Sequence, residues 1–116
     1  MCHERNGPSR EKTVRDLYAA YVADGKDIAG AMLTEDFTFS STRDDHIDRT
    51  AYFERCWPKE PLFRGIHIEF LAIKGDEAVA RYRAEKLDGT SFANMESLRF
   101  RGDRIAAVEV YFGRNL

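Results

Sequence analysis

A carboxylate and an amide stand two positions apart in a run that is otherwise apolar on one face. The run over residues 91–101 alternates as a strand does, so the face with Glu96 also carries Phe92, Asn94, Leu98 and Phe100. Polar groups on such a face are costly without partners, which favours a pocket for Asn94 and Glu96. If Glu96 is kept protonated, the pair could stabilise negative charge on a ligand oxygen. The alternative is that both are hydrogen-bonded structural residues.

A second polar cluster, Arg43-Asp44-Asp45-His46, follows a short predicted strand. Loops on rigid scaffolds often carry function, so we expect this loop to border the pocket, with Asp45 or His46 moving a proton. The alternative is a capping box in which Asp45 and Asp48 begin the next helix. Asp44, Asp45, His46 and the distant His67 are acceptable metal ligands. Their spacing matches no recognised motif, so neither a metal site nor a cofactor is predicted.

Aromatic residues are concentrated in the first half of the chain, where most are expected in the core and some along a pocket. The expected ligand-binding residues are Tyr18, Tyr21, Phe39, Ser41, Trp57, Asn94 and Phe112. Cys56 has no base beside it in sequence and is expected to be a buried, inert thiol. His67 alternates with Ile66 and Ile68, which predicts a position on the outer face of the sheet.

Helices dominate the first half. Ser9 is a candidate N-cap for a helix whose apolar stripe has helical spacing at Val14, Leu17, Tyr18, Tyr21 and Val22. Gly25 ends this helix, and Asp27 opens a shorter one. A strand is predicted over residues 36–41, with Phe37, Phe39 and Ser41 on one face. A third helix is predicted near Ile47 to Trp57.

The second half contains four β-like runs: Phe63 to Lys74, Ala78 to Leu87, Ser91 to Arg101 and Ile105 to Gly113. Tight-turn pairs separate them: Gly75-Asp76, Asp88-Gly89 and Gly102-Asp103. Such short loops predict an antiparallel meander. The fold class is therefore α+β, a curved antiparallel sheet and N-terminal helices forming a cone with an internal pocket, as in a cystatin-like roll. Residues 1–8 are expected to be a flexible tail and residues 9–116 a single domain.

Composition narrows the possible partners. The chain is 43% hydrophobic and 33% charged with a net charge of −2, so we expect no nucleic-acid partner. Cys2 and Cys56 do not suggest a disulfide framework. The N-terminus has no apolar run typical of a signal peptide, and no stretch is long enough to span a membrane. A cytoplasmic location without membrane contact is expected.

Two segments carry a family resemblance. The stretch from Tyr21 to Ile28 (YVADGKDI), followed by Leu33 to Phe39 (LTEDFTF), resembles the opening of the nuclear-transport-factor-2-like superfamily. Glu96 to Phe100 (ESLRF), with Val110 to Gly113 (VYFG), resembles its final hairpin. The superfamily includes ketosteroid isomerases, SnoaL-type polyketide cyclases and limonene epoxide hydrolases. The resemblance runs from about Val14 to Gly113 and implies a fold rather than one reaction.

The resemblance also implies roles for individual residues. Glu96 falls where ketosteroid isomerases keep a protonated acid that donates to an oxyanion, and Tyr18 or Tyr21 falls near their oxyanion tyrosine. Phe112 matches an aromatic residue of the same pocket. The position of the general-base aspartate of ketosteroid isomerases corresponds to Ser40 or Ser41 here. Serine cannot serve as that base at neutral pH. Steroid-isomerase activity is therefore not implied.

Three functions remain open. The first is a cofactor-independent isomerase, cyclase or hydratase acting on an apolar or cyclic carbonyl compound. The second is a non-catalytic domain that binds a hydrophobic or cyclic small molecule, and the third is an interaction module.

Two further expectations concern the sheet. We expect a homodimer through its outer face, which would carry Ser91, Ala93, Met95, Ser97, Glu109 and Tyr111. We also expect burial between apolar neighbours to raise the pKa of Glu96.

Overall fold

The computed structural model describes residues 6–116, and the side chains of residues 10–116. Three helices lie in the first half: α1 Asn6–Ala23, α2 Lys26–Ala31 and α3 Arg49–Arg55. Two strands accompany them, β1 Leu33–Ser40 and β2 Ile47–Asp48. Four long strands follow: β3 Phe63–Lys74, β4 Glu77–Lys86, β5 Ser91–Arg101 and β6 Arg104–Asn115.

The six strands form one sheet in the order β2-β1-β6-β5-β4-β3. The β3–β6 part is the predicted antiparallel meander. Its three turns contain Gly75, Gly89 and Gly102 at positive φ, the conformation for which glycine is best suited. The sheet is mixed rather than wholly antiparallel, because β1 pairs in parallel with β6. Short turns force antiparallel pairing, whereas the long connection between β1 and β6 does not.

The helix boundaries differ from the sequence-based expectation. α1 begins at Asn6 rather than at Ser9, so residues 6–8 belong to a helix and not to a tail. The rest of the expected tail, residues 1–5, lies outside the described residues. The third helix is shorter than predicted because residues 47–48 pair with β1 as β2. Asp48, not Asp45, caps α3, and its Oδ1 accepts a hydrogen bond of 2.9 Å from Ala51 N.

The core lies between α1 and the inner face of the sheet. Leu98, Phe100 and Ile105 of the sheet are at most 3% exposed, and Val14 of α1 is fully buried. The inner face of β4 carries small residues, Ala78, Ala80 and Ala84, each at most 1% exposed. Small side chains fill little of the interior, and part of the space under the helices remains open as a cavity.

Candidate functional site

A half-enclosed cavity of about 600 Å³ lies between α1, β1, α3 and the inner face of the sheet. Its lining is mainly apolar and aromatic, and it extends from the interior to the solvent-exposed edge of the sheet. Tyr18, Tyr82 and Asn94 are buried together with the Glu96 carboxyl group, while Phe112 is half exposed. The pocket predicted from the alternation of the last strands is therefore present, with Asn94 and Glu96 on its wall.

Glu96 is held by two phenols. Tyr18 Oη donates to Oε1 at 2.8 Å, and Tyr82 Oη donates to Oε2 at 2.7 Å. Tyr18 projects from α1 and Tyr82 from β4, where it stands directly beside Asn94 of β5. Their rings lie 5.2 Å apart between centroids, so the two aromatic rings flank the carboxyl group. This arrangement supplies the partners that a carboxyl on an apolar face requires.

The polar atoms of the Asn94 side chain bond to the protein itself rather than pointing freely into the cavity. Its Nδ2 donates to Tyr82 Oη at 3.4 Å, a long hydrogen bond, and its Oδ1 accepts from Gly113 N at 3.0 Å. The side chain is thus tied to the backbone of β6 on one side and to Tyr82 on the other. Asn94 borders the cavity, as expected, but the amide mainly orients the Tyr82 hydroxyl toward Glu96.

The environment shifts the pKa values of the whole cluster. Burial raises the pKa of Glu96, and the hydrogen bonds from Tyr82 and Tyr18 offset part of that increase. Burial also raises the pKa values of Tyr18 and Tyr82, and the adjacent Glu96 charge raises them further. Both tyrosines therefore remain hydrogen-bond donors, while Glu96 can take up a proton above the usual glutamate range.

The raised pKa of Glu96 predicts a pH-dependent cost in stability. Above the ordinary glutamate pKa of about 4.3, the folded chain binds more protons at this site than the unfolded chain. The contribution of Glu96 to the free energy of unfolding therefore falls as pH rises through the folded pKa. We expect Glu96→Gln, which lacks this titration, to gain stability relative to the wild type as pH rises above about 4. Urea denaturation of both proteins across this range measures it. A stability difference that does not change with pH would contradict the raised pKa.

Three other predicted ligand-binding residues also line the cavity: Tyr21, Phe39 and Phe112. The structure decides between the two helix tyrosines. Tyr18 donates a hydrogen bond to Glu96, whereas Tyr21 Oη donates to Cys56 O at 2.8 Å. Tyr21 therefore contributes its ring, not a free hydroxyl group, to the cavity lining. Cys56 lines the cavity half-buried, and burial raises the pKa of its thiol to about 11. A thiol with this pKa is protonated near neutral pH, which agrees with the predicted inert role.

Four predicted site residues are absent from the cavity lining. Ser41 Oγ accepts from Arg43 N at 3.1 Å and so shapes a turn. Trp57 is buried behind the wall, where its Nε1 donates to Asp24 Oδ1 at 3.0 Å and its ring contacts Tyr21 edge-on. The large apolar surface of Trp57 is thus buried in the core.

Asp45 and His46 are the other two. Their side chains are 94% and 74% exposed, and they contact each other at 2.6 Å. His46 has a φ of 53° and lies at the end of the loop that joins the antiparallel strands β1 and β2. The expectation that Asp45 and His46 lie on the pocket is therefore corrected. Arg43, from the same loop, does line the cavity.

Sequence reasoning missed Tyr82, which makes the shorter of the two hydrogen bonds to Glu96. The signal was available: β4 alternates Ala78, Ala80, Tyr82 and Ala84 on its inner face, so one phenol stands among small residues. Tyr52, buried on α3, was also missed as a lining residue. It packs against Phe37 and Phe39, with centroids about 5 Å apart.

Among the described residues, 6–116, no group of three or more histidine, cysteine, aspartate or glutamate side chains is arranged to hold a metal ion. Within the same residues, no helix is both long enough and apolar enough to cross a membrane.

No protein-family model matches the sequence, and no curated protein matches it either. Solved structures match its fold. A nuclear-transport-factor-2-like protein of unknown function from Cytophaga hutchinsonii is 17% identical, covers 90% of this chain and 89% of its own, and has a TM-score of 0.74. A candidate ketosteroid isomerase from Kribbella flavida is 14% identical, with 92% and 79% covered and a TM-score of 0.78. An LEH-like epoxide hydrolase from M. tuberculosis is 18% identical, with 91% and 84% covered and a TM-score of 0.75.

Identities this low support a shared architecture and carry no shared chemistry. In this chain that architecture consists of N-terminal helices packed on an open sheet whose inner face borders a cavity. The chain has the nuclear-transport-factor-2-like fold that its sequence predicted.

Proposed function

We propose that this protein binds a small, apolar, ring-containing molecule that carries an oxygen group, and that Glu96 is its polar anchor. The observation that supports this is one carboxyl group, held by two phenols, inside an otherwise apolar and aromatic cavity. Ligand pockets have this composition: an apolar lining gives affinity, and a few fixed polar groups give orientation. A cavity of about 600 Å³ lies within the size range of such pockets.

Proton transfer is the second candidate, and the raised pKa of Glu96 favours it. Among the described lining residues Glu96 is the only carboxyl group, so it would act alone. Its carboxylate would take a proton from a carbon beside a ligand carbonyl, and the C–H electron pair would form the enolate. Once Glu96 is protonated, a phenol released from it could donate to the enolate oxygen. Return of the proton to another carbon would complete an isomerisation, a reaction that the Kribbella protein's name also suggests.

A pair of ring compounds tests the anchor. We expect 2-naphthol to bind about tenfold more tightly than naphthalene, since a hydrogen bond to a charged or buried partner is worth about 1.5 kcal/mol or more. Glu96→Leu should remove this preference while naphthalene affinity is kept. Glu54→Gln, an exposed change on α3, is the control. Equal affinities for the two compounds in the wild type would contradict the anchor role.

Proton transfer by Glu96 is tested with a ring ketone of similar size. Exchange of the α-protons of bound 2-tetralone with D₂O, followed by NMR, should be faster with the wild type than with Glu96→Gln. Binding without accelerated exchange leaves ligand binding as the function.

We also propose a homodimer through the outer face of the sheet. Strand register places Phe70, Arg81, Met95 and Tyr111 in one row across β3 to β6. The three apolar members are 48%, 40% and 54% exposed, and the Arg81 guanidinium lies 5.6 Å from the Phe70 ring centroid. Several large apolar groups in one exposed row are typical of protein interfaces.

Charge introduced into this row should prevent association. We expect the double variant Met95→Glu, Tyr111→Glu to be monomeric at micromolar concentration, where the wild type is a dimer, because pairing would bury unpaired carboxylates. Analytical ultracentrifugation gives the mass. Leu87→Glu, at an exposed leucine outside the row, should leave the dimer intact. A monomeric wild type would refute the proposal.

A further inference from the structure

The charged groups on the cavity lining are segregated by depth. Arg43, Lys86 and Arg114 all line the cavity, the two arginines exposed and the lysine half-buried. Glu96 lies deep, and it is the only carboxyl group among the described lining residues. We call the part of the lining formed by Arg43, Lys86 and Arg114 the mouth. The whole chain has a net charge of −2, so its overall composition does not explain why the charged groups of the mouth are all cations.

The three cations reach the cavity lining from two strand ends and one loop. Lys86 follows Tyr82 and Ala84 on the inner face of β4, as the last residue of that strand. On β6 the register shifts at Gly113, so Arg114 pairs with Ala93 and lines the cavity beyond the point where the inner-face alternation of Val110 and Phe112 ends. Because residues i and i+2 share a face, β4 has an apolar inner face that ends in a cation. Arg43 joins them from the loop after β1.

In the part of the chain that the structure describes, none of these three cations forms an ion pair. The Arg43 guanidinium lies 6.0 Å from the Phe112 ring centroid, and Lys86 Nζ lies 5.7 Å from that of Phe92. Neighbouring carboxylates are already engaged. Glu85 pairs with Arg64 at 3.5 Å, and Asp44 pairs with Arg55 at 2.6 Å. Within the described side chains, the positive charge of these three residues is therefore left without a counter-charge.

We infer that the ligand is an amphipathic anion, with an apolar ring body in the cavity and a carboxylate-type group held at the mouth by Arg43, Lys86 and Arg114. This inference rests on the proposed ligand-binding function and adds the charge and orientation of the ligand. The anionic end must face outward, since toward Glu96 it would meet a second acid in a desolvated interior. At the mouth it gains charge-assisted hydrogen bonds from three cations.

A matched acid and amide test the inference. Near pH 7, 2-naphthaleneacetate is ionised, and its amide has nearly the same shape without the charge. Titration calorimetry should give about tenfold tighter binding for the acid at about 10 mM salt, with most of the preference lost near 0.5 M, where screening is strong. Chemical-shift changes at Gly113 and Asn94 would locate the ligand in the cavity.

Variants test whether the preference for the acid over the amide comes from the cations at the mouth. The double variant Lys86→Gln, Arg114→Gln should bind the acid and the amide about equally. Lys74→Gln, Arg104→Gln removes the same net charge at residues that do not line the cavity, and it should keep the preference.

Each other outcome has a defined meaning. Equal binding of acid and amide by the wild type overturns the inference and leaves the proposed function standing. A preference that survives in the Lys86, Arg114 variant also overturns it. Binding of neither compound, together with no binding of 2-naphthol, overturns both the inference and the proposed function.

Discussion

Replacing Gly113 by alanine should destabilise the protein by about 3 kcal/mol or more. A Cβ atom at Gly113 would lie 2.1 Å from the Ala93 carbonyl oxygen and 2.9 Å from its carbon. Both are backbone atoms of the paired strand, so β5 and β6 would have to move apart. Gly113 N also donates to Asn94 Oδ1, so the same movement would disturb the support of Tyr82. Urea denaturation at fixed pH measures the loss.

Gly65→Ala is the matched control. Gly65 is also a strand glycine, but a Cβ atom there would meet nothing within 4 Å. We expect its stability to stay within about 0.5 kcal/mol of the wild type. If the two alanine variants were equally stable, the close approach of β5 and β6 at Gly113 would not exist in solution.

Replacing Arg10 by methionine should cost about 3 kcal/mol of stability. Arg10 is 8% exposed and joins α1 to two hairpin turns. Its Nη1 donates to Gly75 O at 2.6 Å and to Asp76 Oδ1 at 3.0 Å, and its Nη2 donates to Gly102 O at 3.0 Å. The guanidinium also lies 5.0 Å from the Phe100 ring centroid. Methionine keeps much of the packing but leaves the carbonyl groups unpaired, and denaturation midpoints report the loss.

Asp76→Asn separates the ion pair from the backbone contacts. The Asp76 side chain is 66% exposed, so its charge should contribute at most about 1 kcal/mol. Arg10→Lys should not restore stability, because one ammonium lacks the planar fork that reaches both turns. An Arg10→Met protein as stable as Asp76→Asn would refute the importance of the two backbone contacts.

Local rules explain most of the fold. Hairpin turns of two to four residues force antiparallel pairing. Alternation assigns each side chain of β5 to a face without knowledge of its neighbours. For this reason Asn94 and Glu96 could be placed on a pocket wall from the sequence, next to Leu98 and Phe100. The same rule placed His67 outside, and it is exposed.

The composition of the site depends on contacts that no local rule supplies. Tyr18 and Glu96 are 78 positions apart in the chain, and Tyr82 and Glu96 are 14 apart. The choice between Tyr18 and Tyr21 follows from how α1 rotates against the sheet, which one helix period cannot specify. The position of Trp57 behind the wall likewise follows from its contact with Asp24.

The sequence by itself determined the α+β class, the meander, and a carboxyl group on an apolar strand face, because these follow from periodicity and turn chemistry. Only the tertiary structure decided that two phenols hold Glu96, that β1 runs parallel to β6, and that Asp45 and His46 point into solvent. The reason is physical: these features depend on long-range packing and on the conformation of the loop between β1 and β2. Contacts of this kind depend on how separate segments of the chain pack together, and no single segment encodes them.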